Sequence, residues 1–237
     1  MYKFYNKKPK PSFDPHQVID LYLFINPFGF RCYCVEKEIQ AFIKNAPCKV
    51  NIKILTYHNM NTITQYMKEN QLDVNDIALR NKIYKSIYHL SIAFKMALQY
   101  GQKRGRQFLM RTQKMIHEEH QELTKDLLVQ ISKDLNMPIT FDLPSDEYEE
   151  LKKSYANDLK IACEMGITET PSLVMFDNFT DEYGILIQRD ITQQHLIDLY
   201  NNYSDSSRTF TKNSPTKSTE CVLAKTFKII QSKKYDF

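Results

Sequence analysis

Residues 18–57 read VIDLYLFINPFGFRCYCVEKEIQAFIKNAPCKVNIKILTY, and this stretch decides the fold. Residues 18–26 are almost continuously apolar, which is typical of a strand covered on both faces. Residues 31–44 carry apolar side chains at helical spacing and predict a helix that ends before Pro47. Residues 50–57 alternate in polarity and predict a second strand. A strand, a helix and a strand in this order form a βαβ unit, so we expect the two strands to be parallel.

The rest of the chain is first helical and then returns to strands. Between residues 61 and 166, three stripes of apolar residues at helical spacing predict a helical subdomain. A Thr-Pro pair then precedes a predicted strand at 172–176, a second strand at 184–188 and a short helix that starts at Thr192. Two parallel strands followed by an antiparallel pair and a closing helix predict an α/β protein with a thioredoxin-like fold. The long insertion before the proline predicts a large helical insertion of the DsbA type.

The predicted organisation divides the chain into six consecutive segments. They are a basic N-terminal tail (1–16), the first half of the thioredoxin-like fold (17–60), the helical insertion subdomain (61–166), the second half of the fold (167–203), a flexible linker (204–220) and an amphipathic C-terminal segment (221–237). The linker is predicted because its residues are mostly Ser, Thr, Asn and Lys. The last segment is predicted to be a short docking helix, since Leu223, Phe227 and Ile230 fall on one helical face.

Length, charge and cysteine usage exclude several classes of protein. The 237 residues suit one elaborated domain, and a net charge of +4 is too small to indicate a nucleic-acid partner. No apolar run is long enough to predict a membrane span, and the first sixteen residues lack the apolar core of a secretory signal. We therefore expect a cytoplasmic protein whose five cysteines are free thiols.

Two motifs carry a family resemblance. FINPFGFRCYCVE at 24–36 resembles the motif FxDPxCPxCWxxE of the YjbH/SpxH branch of the DsbA family, with Phe24, Pro27, Cys32 and Glu36 in register. ETPSLVMF at 169–176 resembles the cis-proline segment of the same family. The resemblance implies a cytosolic adaptor that needs no cofactor and that presents the transcription factor Spx to the ClpXP protease. It also implies that the Thr170-Pro171 bond is cis.

The departures from the family motif bear on catalysis. Asn26, Gly29, Phe30 and Tyr33 stand where the family has Asp, the first Cys, Pro and Trp. In a dithiol enzyme the first Cys attacks from a helix N-terminus, and the second Cys resolves the mixed disulfide. Because Gly29 leaves the attacking position empty, a non-catalytic role is the leading interpretation.

Two catalytic alternatives remain open. The first is a thiol-disulfide oxidoreductase that works through Cys32 alone, a thiol whose pKa the neighbouring Arg31 could lower. The second is a glutathione-dependent enzyme on the same fold, which ranks last because Gly29 and Phe30 stand where Ser or Thr would be expected.

A partner-binding site is predicted where the helix start faces the cis-proline loop, whose backbone can pair with an extended peptide. Its predicted residues are Gly29, Phe30, Arg31, Cys32, Thr170 and Pro171. The other thiols of interest are not assigned to it. Cys34 lies on the opposite side of the helix from Cys32, and Cys163 is predicted to belong to the core.

Two further patterns are interpreted without a ligand. His117 and His120 are not spaced as in a zinc helix motif, so no metal site is predicted and a solvated helix face is favoured. The window 103–114 carries five basic residues and no acid. It is either the exposed face of a helical junction or a patch that attracts an acidic partner.

Overall fold

The structure, a computed structural model, describes residues 14–177, 183–210 and 227–231. The strands are β1 (Asp14–Ile25), β2 (Cys48–Thr56), β3 (Ser172–Asp177), β4 (Tyr183–Ile187) and β5 (Phe227–Gln231). The helices are α1 (Phe30–Asn45), α2 (Met60–Glu69), α3 (Ile77–Leu98), α4 (Gln102–His117), α5 (Lys125–Asp134), α6 (Ser145–Glu164) and α7 (Gln193–Phe210).

The strands form one mixed sheet in the order β2-β1-β3-β4-β5. β1 and β2 are parallel, with Leu21 opposite Ile52, so the predicted βαβ unit is confirmed. β3 is antiparallel to β1 and places Met175 opposite Leu21. The predicted α/β thioredoxin-like fold with a helical insertion is therefore the observed one, since α2 to α6 lie between β2 and β3 in the chain.

Both faces of the sheet are covered, which explains the continuous apolar run of β1. Leu21 and Leu23 point to the face on which α1 and α7 pack. Tyr22 and Phe24 point to the opposite face and contact the end of α6. A strand buried on both faces needs apolar side chains at consecutive positions, because successive residues of a strand point to opposite sides.

The insertion has its own apolar core and a buried ion pair, one member of which also bonds to the sheet. Residues of α3, α4, α5 and α6 pack together around Phe108 and Ile131. The Nζ atom of Lys95 in α3 lies 2.6 Å from Oδ2 of Asp158 in α6, and both side chains are buried. Asp158 also accepts a hydrogen bond from the backbone N–H of Thr56 in β2.

Three predicted boundaries are wrong in part. β1 begins at Asp14, so the predicted N-terminal tail is too long. α7 continues to Phe210, and the start of the predicted linker is therefore helical. Phe227–Gln231 is a strand rather than a docking helix. The predicted segments at 1–13, 211–226 and 232–237 lie outside the described residues.

The pairing of β5 with β4 explains why Phe227–Gln231 is a strand and not a helix. Its register with β4 places Ile229 opposite Ile185 and Phe227 opposite Ile187. Apolar residues in this short run satisfy a helical and a strand pattern about equally, and the two adjacent isoleucines favour a strand. Pairing with β4 decides between the two, because it satisfies the backbone hydrogen bonds of both strands.

Among the described residues, no helix combines the length and the apolar character needed to cross a bilayer.

Candidate functional site

The start of α1 is fixed by hydrogen bonds around Asn26. The side-chain oxygen of Asn26 accepts from the N–H of Phe28 at 3.0 Å, and its carbonyl accepts from the N–H of Gly29 at 3.0 Å. Gly29 is the N-cap residue, and α1 begins at Phe30. This turn connects β1 to α1 and sets the position of every side chain in the first turn of the helix.

Cys32 lies beneath this turn and is 2% exposed. Its sulfur accepts a hydrogen bond from the backbone N–H of Asn26 at 3.3 Å. Burial raises the pKa of the Cys32 thiol to about 12, and the hydrogen bonds from Asn26 and Thr170 only partly oppose this rise. A thiol with such a pKa is almost entirely protonated at neutral pH and is a poor nucleophile.

Arg31 does not activate Cys32 as the sequence suggested. Its positive charge is the weakest of the causes that act on the pKa of Cys32, and burial outweighs it. The guanidinium group instead forms an ion pair with Glu69 of α2 at 2.7 Å, and both side chains are partly exposed. Arg31 thus acts in the predicted direction, but its effect is smaller than the rise in the pKa of Cys32 that burial causes.

The cis-proline loop meets α1 at Cys32. The Thr170-Pro171 bond is cis, as the resemblance implied, and both residues are buried. The Thr170 side chain hydrogen-bonds to Cys32, while the Thr170 carbonyl accepts from the Nε2 of Gln65 at 3.5 Å. The structure thus brings the two motifs together, although they are far apart in the sequence.

The Gly29 position retains the geometry of a dithiol site without its first sulfur. A Cβ atom at Gly29 would lie 3.5 Å from Sγ of Cys32 and 3.3 Å from the carbonyl oxygen of Asn26. The backbone of Gly29 is extended, with φ of −90°, and any residue can adopt this conformation. The backbone at position 29 would therefore accept a cysteine, and the site lacks its first thiol only because glycine has no side chain.

The exposed part of this site is formed by Phe30 and its neighbours from the insertion. Phe30 is 54% exposed and packs edge-on against His117 at the end of α4, with ring centroids 5.5 Å apart. His117 also stacks on Tyr33 at 5.8 Å. Burial, together with the charge of Lys37, lowers the pKa of His117. The first residue of α1 therefore presents an apolar side chain to solvent two positions before the buried Cys32.

Glu36 lies one turn beyond Cys32 and is buried. Its Oε1 accepts from the Nε2 of Gln113 in α4 at 2.7 Å, and its other oxygen has no hydrogen-bond partner within the described part of the chain. Burial raises the pKa of Glu36 to about 8. Glu36 is thus protonated in the folded protein over much of the neutral range.

Sequence reasoning missed the α2 and α4 residues of the site. Gln65 and Glu69 of α2 contact Thr170 and Arg31, and they are joined by their own hydrogen bond of 2.9 Å. Their spacing of four residues on a helix was a signal for such a pair, but the sequence did not show which loop α2 covers. Gln113 lies within the basic window, and nothing in its neighbours marks it as buried.

The remaining predicted residues are placed outside the site. Cys163 is exposed, so its assignment to the core is wrong, because it follows the buried Ala162 by one residue and turns away from that face. Cys34 is partly buried. His120 lies beyond the end of α4, and His117 is partly buried rather than part of a solvated face. In the ranges that the structure covers, no three His, Cys, Asp or Glu side chains meet as ligands for a metal ion.

Comparison with known proteins agrees with this geometry. A family model described as Thioredoxin matches residues 22–198, which include α1, the insertion and the cis-proline loop. The chain belongs to the thioredoxin family. The predicted resemblance to the SpxH branch is also confirmed, because this thioredoxin-family chain has relatives that carry the SpxH name.

Two of these relatives are named ClpXP adapter protein SpxH. The one from Bacillus cereus (strain ATCC 10987 / NRS 248) is 30% identical over 202 residues, covering 76% of this chain and 66% of the relative. The one from Bacillus subtilis (strain 168) is 21% identical over 189 residues, covering 73% of this chain and 63% of the relative. The chain thus spans slightly less than two thirds of the length of these relatives.

A solved structure supports the fold alone. The crystal structure of a candidate protein disulfide isomerase from Nitrosomonas europaea superposes with a TM-score of 0.52 at 13% identity, covering 78% of this chain and 98% of that one.

Proposed function

We propose that this protein is a non-catalytic cytoplasmic adaptor that binds an Spx-like transcription factor and promotes its degradation by the ClpXP protease. The observation that carries the proposal is the altered dithiol site. Gly29 supplies no attacking sulfur, and Cys32 is buried with a raised pKa. The protease is inferred from the similarity to proteins named ClpXP adapter protein SpxH, and the substrate is inferred from the family resemblance.

The binding site in this proposal is the surface over Cys32. Phe30 provides an exposed apolar contact, and Arg31 provides a charge at the start of α1. Gly29, Cys32, Thr170 and Pro171 form the buried support beneath them. Exposed aromatic and Arg side chains over a rigid base are the usual anchors of a protein interface.

An adaptor of this kind needs no bond-making residue. It accelerates degradation by holding the substrate close to the protease, which raises the local substrate concentration. The thiol of Cys32 has only a packing role in this scheme. An oxidoreductase that works through Cys32 alone requires a thiolate. With a pKa near 12, roughly one Cys32 thiol in 10⁵ would be ionised at neutral pH.

The proposal is tested by a degradation assay with purified ClpXP and Spx. We expect the full chain to accelerate the loss of Spx, and we expect Phe30→Asp to reduce that acceleration at least about tenfold by removing an apolar contact. Ile77→Asp is the matched control, because Ile77 is 72% exposed at the start of α3 and is not part of the site. Degradation at the rate of protease alone would defeat the proposal, and equal loss in both variants would defeat the assigned surface.

A further inference from the structure

β2 forms one edge of the sheet that the structure describes, and half of its backbone groups point away from the sheet. In a parallel pair, alternate residues direct both N–H and C=O to the neighbouring strand. The N–H of Tyr57 donates to the carbonyl of Ile25 in β1, whereas the N–H of Thr56 points outward to Asp158. Counting back from Thr56 in steps of two, the outward residues are Ile54, Ile52 and Val50.

These outward residues line two successive clefts. The first has a volume of about 440 Å³ and is bordered by Val50, Ile52 and Ile43, with Gln102 and Arg106 of α4 on its other side. The second has a volume of about 310 Å³ and includes Ile54. Both clefts share Lys53 and Gln102, so together they follow the edge of β2 along its second half. Both clefts therefore border β2 residues whose backbone groups point away from β1.

Arg106 supplies a positive charge to the first cleft. Arg106 is partly buried, and no carboxylate in the described part of the chain pairs with it. Asp20, which also lines this cleft, accepts a hydrogen bond from Asn51 at 2.8 Å. Burial lowers the pKa of Arg106, because it removes the side chain from water.

In the second cleft, a carboxylate of the protein itself already bonds to the edge of β2. The Asp158 carboxylate accepts the outward N–H of Thr56 at 3.2 Å and is neutralised by Lys95 at 2.6 Å. An acidic group is thus already bound between the β2 backbone and a buried cation. Arg106 offers a comparable cation farther along the same edge, beside the outward groups of Val50 and Ile52.

We propose that the edge of β2 from Val50 to Ile54 binds an extended acidic peptide of a partner protein as a sixth strand, with Arg106 pairing to one of its carboxylates. Main-chain hydrogen bonds to the edge provide affinity, and the cation selects acidic side chains. The two clefts along β2 share no residue with the surface over Cys32. It does not depend on the proposed adaptor function, and it assigns a role to one basic residue of the window 103–114.

The test uses the full chain and a fluorescein-labelled peptide with the sequence Thr-Val-Glu-Val-Asp-Val-Thr, followed by fluorescence anisotropy. We expect saturable binding, weakened about tenfold or more by Arg106→Glu and in a peptide that carries Lys in place of both acids. Lys103→Glu is the matched control, because it makes the same charge change on an exposed position of α4 that lines neither cleft, and we expect it to change the affinity less than about twofold.

Two further measurements separate strand addition from simple charge attraction. A peptide that is N-methylated at alternate residues on its pairing edge loses those donors, so we expect its binding to be abolished. We also expect the amide protons of Val50 and Ile52 to exchange more slowly when the unmodified peptide is bound. Absence of binding at about 1 mM peptide would overturn the proposal, as would equal affinity for the methylated peptide or for Arg106→Glu. Self-association of the protein that blocks the peptide would assign the edge to a second copy and would also overturn it.

Discussion

Gly29 stands where the family motif has its first Cys. Its backbone is ordinary, and a Cβ atom there would approach Sγ of Cys32 at 3.5 Å. The hydrogen bonds from Asn26 and Thr170 to Cys32 are in place. The surroundings of Cys32 would therefore accommodate a thiol at position 29.

Restoring the thiol should restore thiol chemistry. We expect Gly29→Cys to form an internal disulfide with Cys32 under mild oxidation, because the new side chain would start within reach of that sulfur. Mass spectrometry after alkylation measures the bond, and Gly29→Ser is the control of equal size without sulfur. A variant that folds but leaves both thiols free would show that the site geometry is not that of a dithiol enzyme.

Glu36 should make stability depend on pH. Its pKa is about 8 in the folded protein and 4.5 in an ordinary environment, so the folded state binds the proton more tightly. The stabilisation is therefore complete below pH 4.5 and is lost as the pH rises towards 8. We compare the free energy of unfolding of Glu36→Gln with that of the wild type at each pH. We expect this difference to shift in favour of the variant by roughly 2–4 kcal/mol as the pH rises from about 5 to about 8.

Urea unfolding at the two pH values measures this difference. Glu150→Gln is the control, because Glu150 is exposed on α6 and its variant should follow the wild type at both pH values. A constant difference between Glu36→Gln and the wild type would contradict a raised pKa for Glu36.

At the scale of elements, Lys95 and Asp158 connect α3, α6 and β2. Removing one partner of a buried ion pair leaves an unpaired charge inside the protein, which is more costly than losing a surface pair. We expect Asp158→Ala to lower the free energy of unfolding by about 3–5 kcal/mol. The exposed pair of Lys82 and Glu122, at 3.9 Å, is the control, and Glu122→Ala should cost under about 1 kcal/mol in the same urea titration. Equal costs would contradict a structural role for the buried pair.

The elements differ in how well the sequence predicts them. β1, α1 and β2 were predicted because, in residues 18–57, the spacing of the apolar residues and the positions of the prolines indicate the same elements. The contact of α2 with the cis-proline loop was not, since the hydrogen bond from Gln65 to Thr170 joins residues far apart in the chain. Cys163 was misplaced because a shift of one residue on a helix rotates a side chain by about 100°.

At the scale of the whole molecule, the sheet is completed by a strand from the C-terminal end of the chain. β5 pairs with β4, from which α7 separates it in the chain, so a long-range pairing fixes its structure. The apolar residues of this segment were interpreted as one face of a docking helix, and Phe227–Gln231 is a strand instead. The parallel pairing of β1 and β2 was predicted, because a strand, a helix and a strand in sequence form a βαβ unit.

Removal of β5 should loosen β4 selectively. In a chain that ends at Phe210, β4 becomes an edge strand, and we expect the amide protons of Gly184 and Leu186, which alternate with those directed at β3, to exchange at least about tenfold faster. The amide protons of Leu21 and Leu23 in the interior of the sheet are the control and should keep their protection. Unchanged exchange in β4 would show that β5 does not contribute to the sheet.

The most direct test of the adaptor account compares the wild type with Cys32→Ser in the ClpXP degradation of Spx. The serine hydroxyl can still accept the hydrogen bond from Asn26, so the fold should be retained, and circular dichroism checks this. We predict that both proteins accelerate degradation to the same extent, because the adaptor uses a surface and not a thiol. Acceleration by the wild type that is lost in folded Cys32→Ser would contradict the account and would assign the activity to the sulfur.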